Sequence, residues 1–98
     1  MKYLRRVKMT NHMQNFIDDL EIPFEGEEKG KQYIVEMPDS NSFSRVFNLI
    51  SINKNLHIKG DSKATDTETE FRYTDGEYDV VLVADYDADI YRLIVEVE

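Results

Sequence analysis

Three aspartates spaced two residues apart come nearest to a cation-binding pattern in this sequence. Positions one, three, five and twelve of a calcium-loop pattern correspond to Asp85, Asp87, Asp89 and Glu96. Position six of that pattern requires glycine for a sharp turn, and here it is Ile90. The residues after it alternate as a strand instead of starting a helix. The pattern therefore favours a solvated turn, in which aspartates accept hydrogen bonds from backbone amides.

The residue types give little support to catalysis. The chain has no cysteine, which excludes disulfides, thiolate metal ligands and thiol nucleophiles. Its two histidines, His12 and His57, lie on different predicted elements, and one histidine among scattered carboxylates is no metal or triad signature. The four glycines are dispersed, so there is no glycine-rich phosphate loop. We expect a protein with no enzymatic activity, no cofactor and no metal.

Charge is the strongest compositional feature. The first eight residues carry four positive charges, whereas the other ninety carry eight basic and twenty acidic residues, a net of −12. From Asp61 onward twelve acids accompany three bases, a net of −9 in 38 residues. Such a surface repels nucleic acid and anionic membranes and attracts basic proteins. Acidity that serves only solubility is the simpler interpretation, and it stays open.

Length and apolar content predict one domain over residues 1–98, with a single core. The basic N-terminus lacks the apolar run of a signal peptide, and the longest apolar run, Val80 to Ala84, is too short to span a membrane. A small domain without cysteine also favours a reducing compartment. We therefore expect a soluble, cytoplasmic protein. A flexible basic tip is one interpretation of residues 1–9.

Hydrophobic periodicity predicts two helices. The i, i+3, i+4, i+7 spacing of one apolar stripe occurs at Met13, Phe16, Ile17 and Leu20, and again at Phe43, Val46, Phe47 and Ile50. Thr10 or Asn11 is a suitable N-cap for the first helix, and Asp39 or Ser40 for the second.

Alternation and turn residues predict the strands. They fall at residues 31–37, 56–58, 71–73, 78–84 and 90–97, with loops at residues 25–30 and 60–67. Asp75-Gly76 predicts a two-residue hairpin turn in which Tyr73 faces Tyr78 and Phe71 faces Val80. The order α-β-α-β-β-β-β indicates an α+β fold, an antiparallel sheet with a C-terminal β-meander packed by two helices.

The acidic C-terminal region also holds four tyrosines. Cross-strand pairing favours a structural role for them, whereas exposed tyrosine among acids would suit a basic partner. Strand carboxylates on one face recur every ~6.6–6.8 Å, a spacing that can imitate a phosphate backbone. The candidate binding residues are Asp75, Glu77, Tyr78, Asp85, Tyr86, Asp87 and Asp89.

In size, acidity and lack of catalytic motifs, the chain resembles the small acidic proteins of phages and mobile elements, such as many anti-CRISPR proteins. The resemblance covers no defined segment. It implies an inhibitor that mimics nucleic acid and occupies a basic protein surface, that of a nucleic-acid-binding enzyme, without touching nucleic acid or membrane itself. An immunity or antitoxin protein and a small host subunit are the alternatives, and the oligomeric state is left open.

Overall fold

The computed structural model of the chain describes residues 11–97, so the basic tip at residues 1–9 lies outside the described residues. Within that range two helices and seven strands form. In chain order they are α1 (Asn11–Asp19), β1 (Glu27–Lys29), β2 (Gln32–Met37), α2 (Ser40–Ser51), β3 (His57–Ile58), β4 (Lys63–Ala64), β5 (Glu68–Thr74), β6 (Tyr78–Asp85) and β7 (Ile90–Val97).

All seven strands belong to one antiparallel sheet. Their order across it is β1-β2-β7-β6-β5-β3, and β4 also pairs with β5. The three long C-terminal strands are neighbours, as a meander requires, and β2 adds to β7 through pairs such as Tyr33 with Val95. The predicted α+β fold is confirmed, with the predicted elements in their predicted order and two short strands added.

The core lies between the helices and one face of the sheet. Val35, Val80, Leu82, Leu93 and Val95 have no exposed area, because they alternate onto this face from the central strands. The helical stripes supply Met13, Ile17, Leu20, Phe43, Val46 and Ile50 as buried residues, with Phe16 and Phe47 partly buried against them. Both predicted stripes are therefore confirmed. Full burial of each large apolar side chain contributes about 1.5–3 kcal/mol, which makes this interface the main source of stability.

Helix α2 begins at a capping aspartate. Asp39 has extended backbone geometry, and its Oδ1 accepts a hydrogen bond from the backbone N–H of Ser42 at 2.8 Å. This bond satisfies one of the amides that a helix start leaves unpaired. The same bond lowers the pKa of the Asp39 carboxyl below its usual value. Of the two caps that the sequence allowed, the structure uses Asp39.

Two short strands occupy segments that we predicted as loops. Strand β1 consists of three charged residues and forms by pairing with β2 across a turn at Gly30, whose φ is +61°. Just before it, the N–H of Gly26 donates to the hydroxyl of Tyr33 at 2.8 Å. A Cβ atom at Gly26 would lie 2.6 Å from the carbonyl oxygen of Ile34, so only glycine fits. Strand β4 likewise exists through its pairing with β5. Neither strand has an alternation signal of its own.

The register of the β5–β6 hairpin differs from the predicted one. Tyr73 pairs with Val80 instead of Tyr78, and Phe71 pairs with Leu82 instead of Val80. The displacement is two residues, so every side chain keeps the face on which the prediction placed it.

Side chains inside the β5–β6 turn explain the longer connection. Asp75 Oδ1 accepts hydrogen bonds from the N–H groups of Glu77, at 2.9 Å, and Tyr78, at 2.8 Å. The hydroxyl of Thr74 donates to the carbonyl of Tyr78 at 2.9 Å, and Gly76 has a φ of +101°. These bonds stabilise a wider turn than Asp-Gly alone would form.

Candidate functional site

The turn between β6 and β7 carries the three candidate aspartates. Asp85 Oδ1 accepts a hydrogen bond from the backbone N–H of Ala88 at 3.1 Å, which closes the turn. Asp89 has a φ of 57°, a left-handed conformation that aspartate adopts more readily than most residues. Asp87 is exposed between them. The turn thus uses the Asp85 carboxylate for its own structure and presents Asp87 to solvent.

Tyr86 lies in this turn and is held by the start of β5. Its backbone N–H donates to the carbonyl of Thr67 at 2.8 Å, and its hydroxyl lies 3.2 Å from Thr69 Oγ1. Its ring meets the edge of Tyr91, with centroids 6.1 Å apart. The side chain nevertheless remains 44% exposed. Tyr86 is therefore a fixed aromatic surface beside the aspartates.

Tyr91 connects the turn to the start of α2. Its side chain is buried and lies near Asp89 and Ser40. Burial raises the pKa of Tyr91, and the neighbouring Asp89 carboxylate acts in the same direction. Because Met37 pairs with Tyr91 in the β2–β7 register, Asp39 two residues later lies at the same end of the molecule.

Carboxylates from three parts of the chain meet at this end. Glu68 lies opposite Asp85 in the β5–β6 register. We define the acidic end as Asp39, Asp66, Glu68, Asp85, Asp87 and Asp89, together with Tyr86. Lys63 Nζ lies 3.6 Å from Glu68 Oε1, and the charge of Arg45 acts on Asp39. The three turn aspartates form no ion pair with any base within residues 11–97.

The β5–β6 turn holds the other candidate residues and uses them internally. Asp75 organises the turn through its two backbone bonds. Glu77 Oε2 lies 2.6 Å from His12 Nε2, within hydrogen-bond distance, and both side chains are about two-thirds exposed. Asp75 therefore stabilises the turn internally, and Glu77 connects the turn to α1.

Tyr78 was predicted as a surface contact, and this prediction is wrong. Its side chain is 3% exposed. Its ring stacks on Phe16, with centroids 4.2 Å apart, and more loosely on His12 at 5.4 Å. Burial raises the pKa of Tyr78, with smaller contributions from the charges of Glu77 and Asp75. The approach of α1 covers Tyr78, and local sequence carries no sign of that.

The seven candidate residues do not form one surface. Strand β6 separates the two turns, and its eight residues span about 24 Å at ~3.4 Å per residue. The acidic end therefore contains Asp85, Tyr86, Asp87 and Asp89, whereas Asp75, Glu77 and Tyr78 lie at the opposite end. Tyr73 and Tyr91 are also buried, so of the four tyrosines in this region only Tyr86 is exposed.

Both histidines lie on the molecular surface, on different elements. His57 is exposed on β3. His12 pairs with Glu77 on the molecular surface. Within residues 11–97, no three His, Asp or Glu side chains come together in an arrangement suited to a metal ion.

Three members of the acidic end were missed as site residues. Asp39 reaches it because β2 pairs with β7, and Glu68 reaches it through the pairing of β5 with β6. Asp66 lies next to Thr67, whose carbonyl accepts the backbone hydrogen bond of Tyr86. A hairpin register extended backward from Asp75-Gly76 would have brought Glu68 near Asp85. No signal in the sequence would have placed Asp39 there.

No family model matches the chain, and no curated protein or solved structure is significantly similar to it. Neither α1 nor α2, the helices of the described range, has the length and apolar character needed to cross a membrane. The acidic end therefore has to be interpreted from its own geometry.

Proposed function

We propose that this chain is a non-enzymatic, cytoplasmic protein-binding module whose acidic end occupies a basic surface on a nucleic-acid-binding protein. In this proposal the carboxylates take the positions of backbone phosphates, and binding excludes nucleic acid from the partner. The observation that carries the proposal is the grouping of six carboxylates and one exposed tyrosine at one end of the sheet.

The charges and the aromatic ring support this function in different ways. A carboxylate that forms no ion pair within the protein keeps its negative electrostatic field. That field accelerates the encounter with a positively charged protein surface and repels negatively charged ones. Tyr86 adds contact area and a hydroxyl, and its contacts with Thr69 and Tyr91 hold the ring before any partner arrives.

The test removes the three negative charges of the β6–β7 turn and compares the result with the removal of three negative charges elsewhere on the protein. One variant combines Asp85→Asn, Asp87→Asn and Asp89→Asn, because asparagine keeps the backbone acceptor at position 85 and tolerates the left-handed φ at position 89. The control combines Glu21→Gln, Glu25→Gln and Glu27→Gln. It also removes three exposed acids and includes a residue with positive φ, Glu21 at 54°.

Each protein is used to capture partners from native cell lysate at low and at high salt. We expect the wild type and the control to retain the same basic protein, to release it at high salt, and to lose it to added duplex DNA. The aspartate variant should bind that partner at least about tenfold more weakly, or ~1.4 kcal/mol. Equal capture by both variants would contradict the proposal.

The same experiment separates the alternatives. A captured toxin that does not bind nucleic acid would indicate an immunity or antitoxin protein. Absence of any partner at either salt concentration would favour a host subunit whose acidity serves solubility.

A further inference from the structure

A polar cleft lies where the end of α1, the loop after α2 and the β5–β6 turn meet. Its volume is about 410 Å³, within the ~300–1,000 Å³ of typical small-molecule sites. One positive and two negative side chains line it, those of Lys54, Asp19 and Asp75. Phe16, partly buried, and Leu20, buried, form its apolar inner wall. We call this site the α1 cleft, and it combines charges of both signs with an apolar surface.

The opposite charges in the α1 cleft are held apart. Lys54 forms no ion pair with any carboxylate of residues 11–97, although Asp19 and Asp75 line the same cleft. Charges that paired with one another would have little left to offer a ligand. Charges separated across a cleft can instead each bind the complementary end of a molecule that carries both signs.

Two features orient and strengthen the negative side of the cleft. Oδ1 of Asp75 accepts hydrogen bonds from the backbone N–H groups of Glu77 and Tyr78, so the carboxylate is fixed and Oδ2 is left for a ligand. Asp19 is the last residue of α1, where the final carbonyl groups of a helix carry partial negative charge. A bound ammonium group would therefore be stabilised by two carboxylates and by the end of the helix together.

The positive side of the cleft combines Lys54 with an oriented amide. Asn53, which also lines the cleft, precedes Lys54 in the loop after α2. Its Oδ1 accepts a hydrogen bond from the backbone N–H of Asn55 at 2.9 Å, which leaves its Nδ2 as a donor. An ammonium group and an amide N–H together suit a carboxylate, because each of its oxygens can accept a hydrogen bond.

We propose that the α1 cleft binds a free α-amino acid with an apolar or aromatic side chain. The ammonium group of the ligand pairs with Asp19 and Asp75, its carboxylate pairs with Lys54, and its side chain packs on the apolar inner wall. A free α-amino acid carries both charged groups on one small molecule, whereas a simple cation or anion uses only one side of the cleft. This inference does not depend on the acidic end, which lies at the other end of β6.

The test titrates each common amino acid into the full-length protein and follows the backbone amides by proton–nitrogen correlation NMR. Two analogues of L-phenylalanine separate the charges, since phenethylamine keeps only the ammonium group and hydrocinnamate keeps only the carboxylate.

Two variants of the protein each remove one charge of the cleft, Asp19→Asn and Lys54→Gln. Their matched controls are Asp61→Asn and Lys31→Gln, which remove the same charges from exposed residues that do not line the cleft. The correlation spectrum of each variant also verifies that it is folded.

We expect an apolar or aromatic amino acid to shift the amides of Asn53, Asn55 and Asp75 until they saturate, and each analogue to bind at least about tenfold more weakly than L-phenylalanine. Asp19→Asn and Lys54→Gln should each weaken binding by about fivefold or more, and the two controls should not change it.

Four results would overturn the proposal: no amino acid binds, the shifts map to residues outside the cleft, either analogue binds as tightly as L-phenylalanine, or a cleft variant keeps the wild-type affinity. Capture of a basic protein by the acidic end is measured separately, so failure of this proposal and failure of the proposed function are distinguishable.

Discussion

Two tyrosines with nearly identical neighbours occupy opposite environments in this protein. Tyr78 follows Glu77 and precedes Asp79, and Tyr86 lies between Asp85 and Asp87. Tyr78 is 3% exposed and stacked on α1, whereas Tyr86 is 44% exposed. The turns beside them differ in the same way, because the β5–β6 turn contacts α1 whereas the β6–β7 turn is exposed to solvent. Local sequence therefore does not separate a structural acidic turn from a surface available to a partner.

We expect the largest difference in stability between the two turns when each tyrosine is replaced by alanine. Tyr78→Ala removes a buried ring from the α1–sheet interface and should reduce the free energy of unfolding by about 3–5 kcal/mol. Tyr86→Ala removes a half-exposed ring and one hydroxyl contact, and should cost about 1 kcal/mol or less. Urea unfolding followed by circular dichroism measures both. Similar losses for the two variants would show that the environments are not distinct.

A smaller difference is expected for the aspartates. Asp75→Ala removes the acceptor of two backbone hydrogen bonds and should cost about 1–2 kcal/mol, as loss of a helix cap does. Asp75→Asn keeps an acceptor oxygen and should recover much of that stability. Asp87→Ala, at the exposed tip of the other turn, should change stability by less than about 0.5 kcal/mol. The comparison fails if Asp87→Ala is the more damaging variant in the same urea series.

The smallest effect is confined to alkaline pH. Burial raises the pKa of Tyr78 above its ordinary value of 10.0, so the folded state holds this proton more tightly than the unfolded state. The corresponding stability is complete below pH 10 and is lost as pH rises through the folded pKa. Tyr78→Phe should therefore match the wild type at neutral pH and lose less stability above pH 10. Parallel pH profiles of unfolding for both proteins would contradict the burial of this hydroxyl.

Much of the fold follows from local patterns. The stripe that begins at Met13 and the one that begins at Phe43 each identify a helix and the face it buries, because the helical period is a property of the helix itself. Alternation from Tyr91 to Val95 identifies a strand and its buried face in the same way. The β5–β6 hairpin was placed on the right faces in spite of a two-residue error in register, since a displacement of two preserves the alternation.

The candidate site was predictable only in part. The aspartates of the β6–β7 turn were identified from their spacing, and the structure places them in an exposed turn, with Asp85 partly covered. Asp75 and Glu77 were assigned to the same surface as these aspartates, because a count of charges along the sequence does not show where the residues lie in the fold.

The sequence by itself determined the α+β architecture, the two buried helical stripes, the acidity and the absence of cysteine chemistry. These depend on composition and on periods of a few residues, which each segment carries alone. Tertiary structure alone decided that Tyr78 is covered while Tyr86 is not, that β1 and β4 become strands, and that Asp39 joins the acidic end. Each of these outcomes depends on contact between segments distant in the chain, and the free energy of such contacts is not contained in either segment separately.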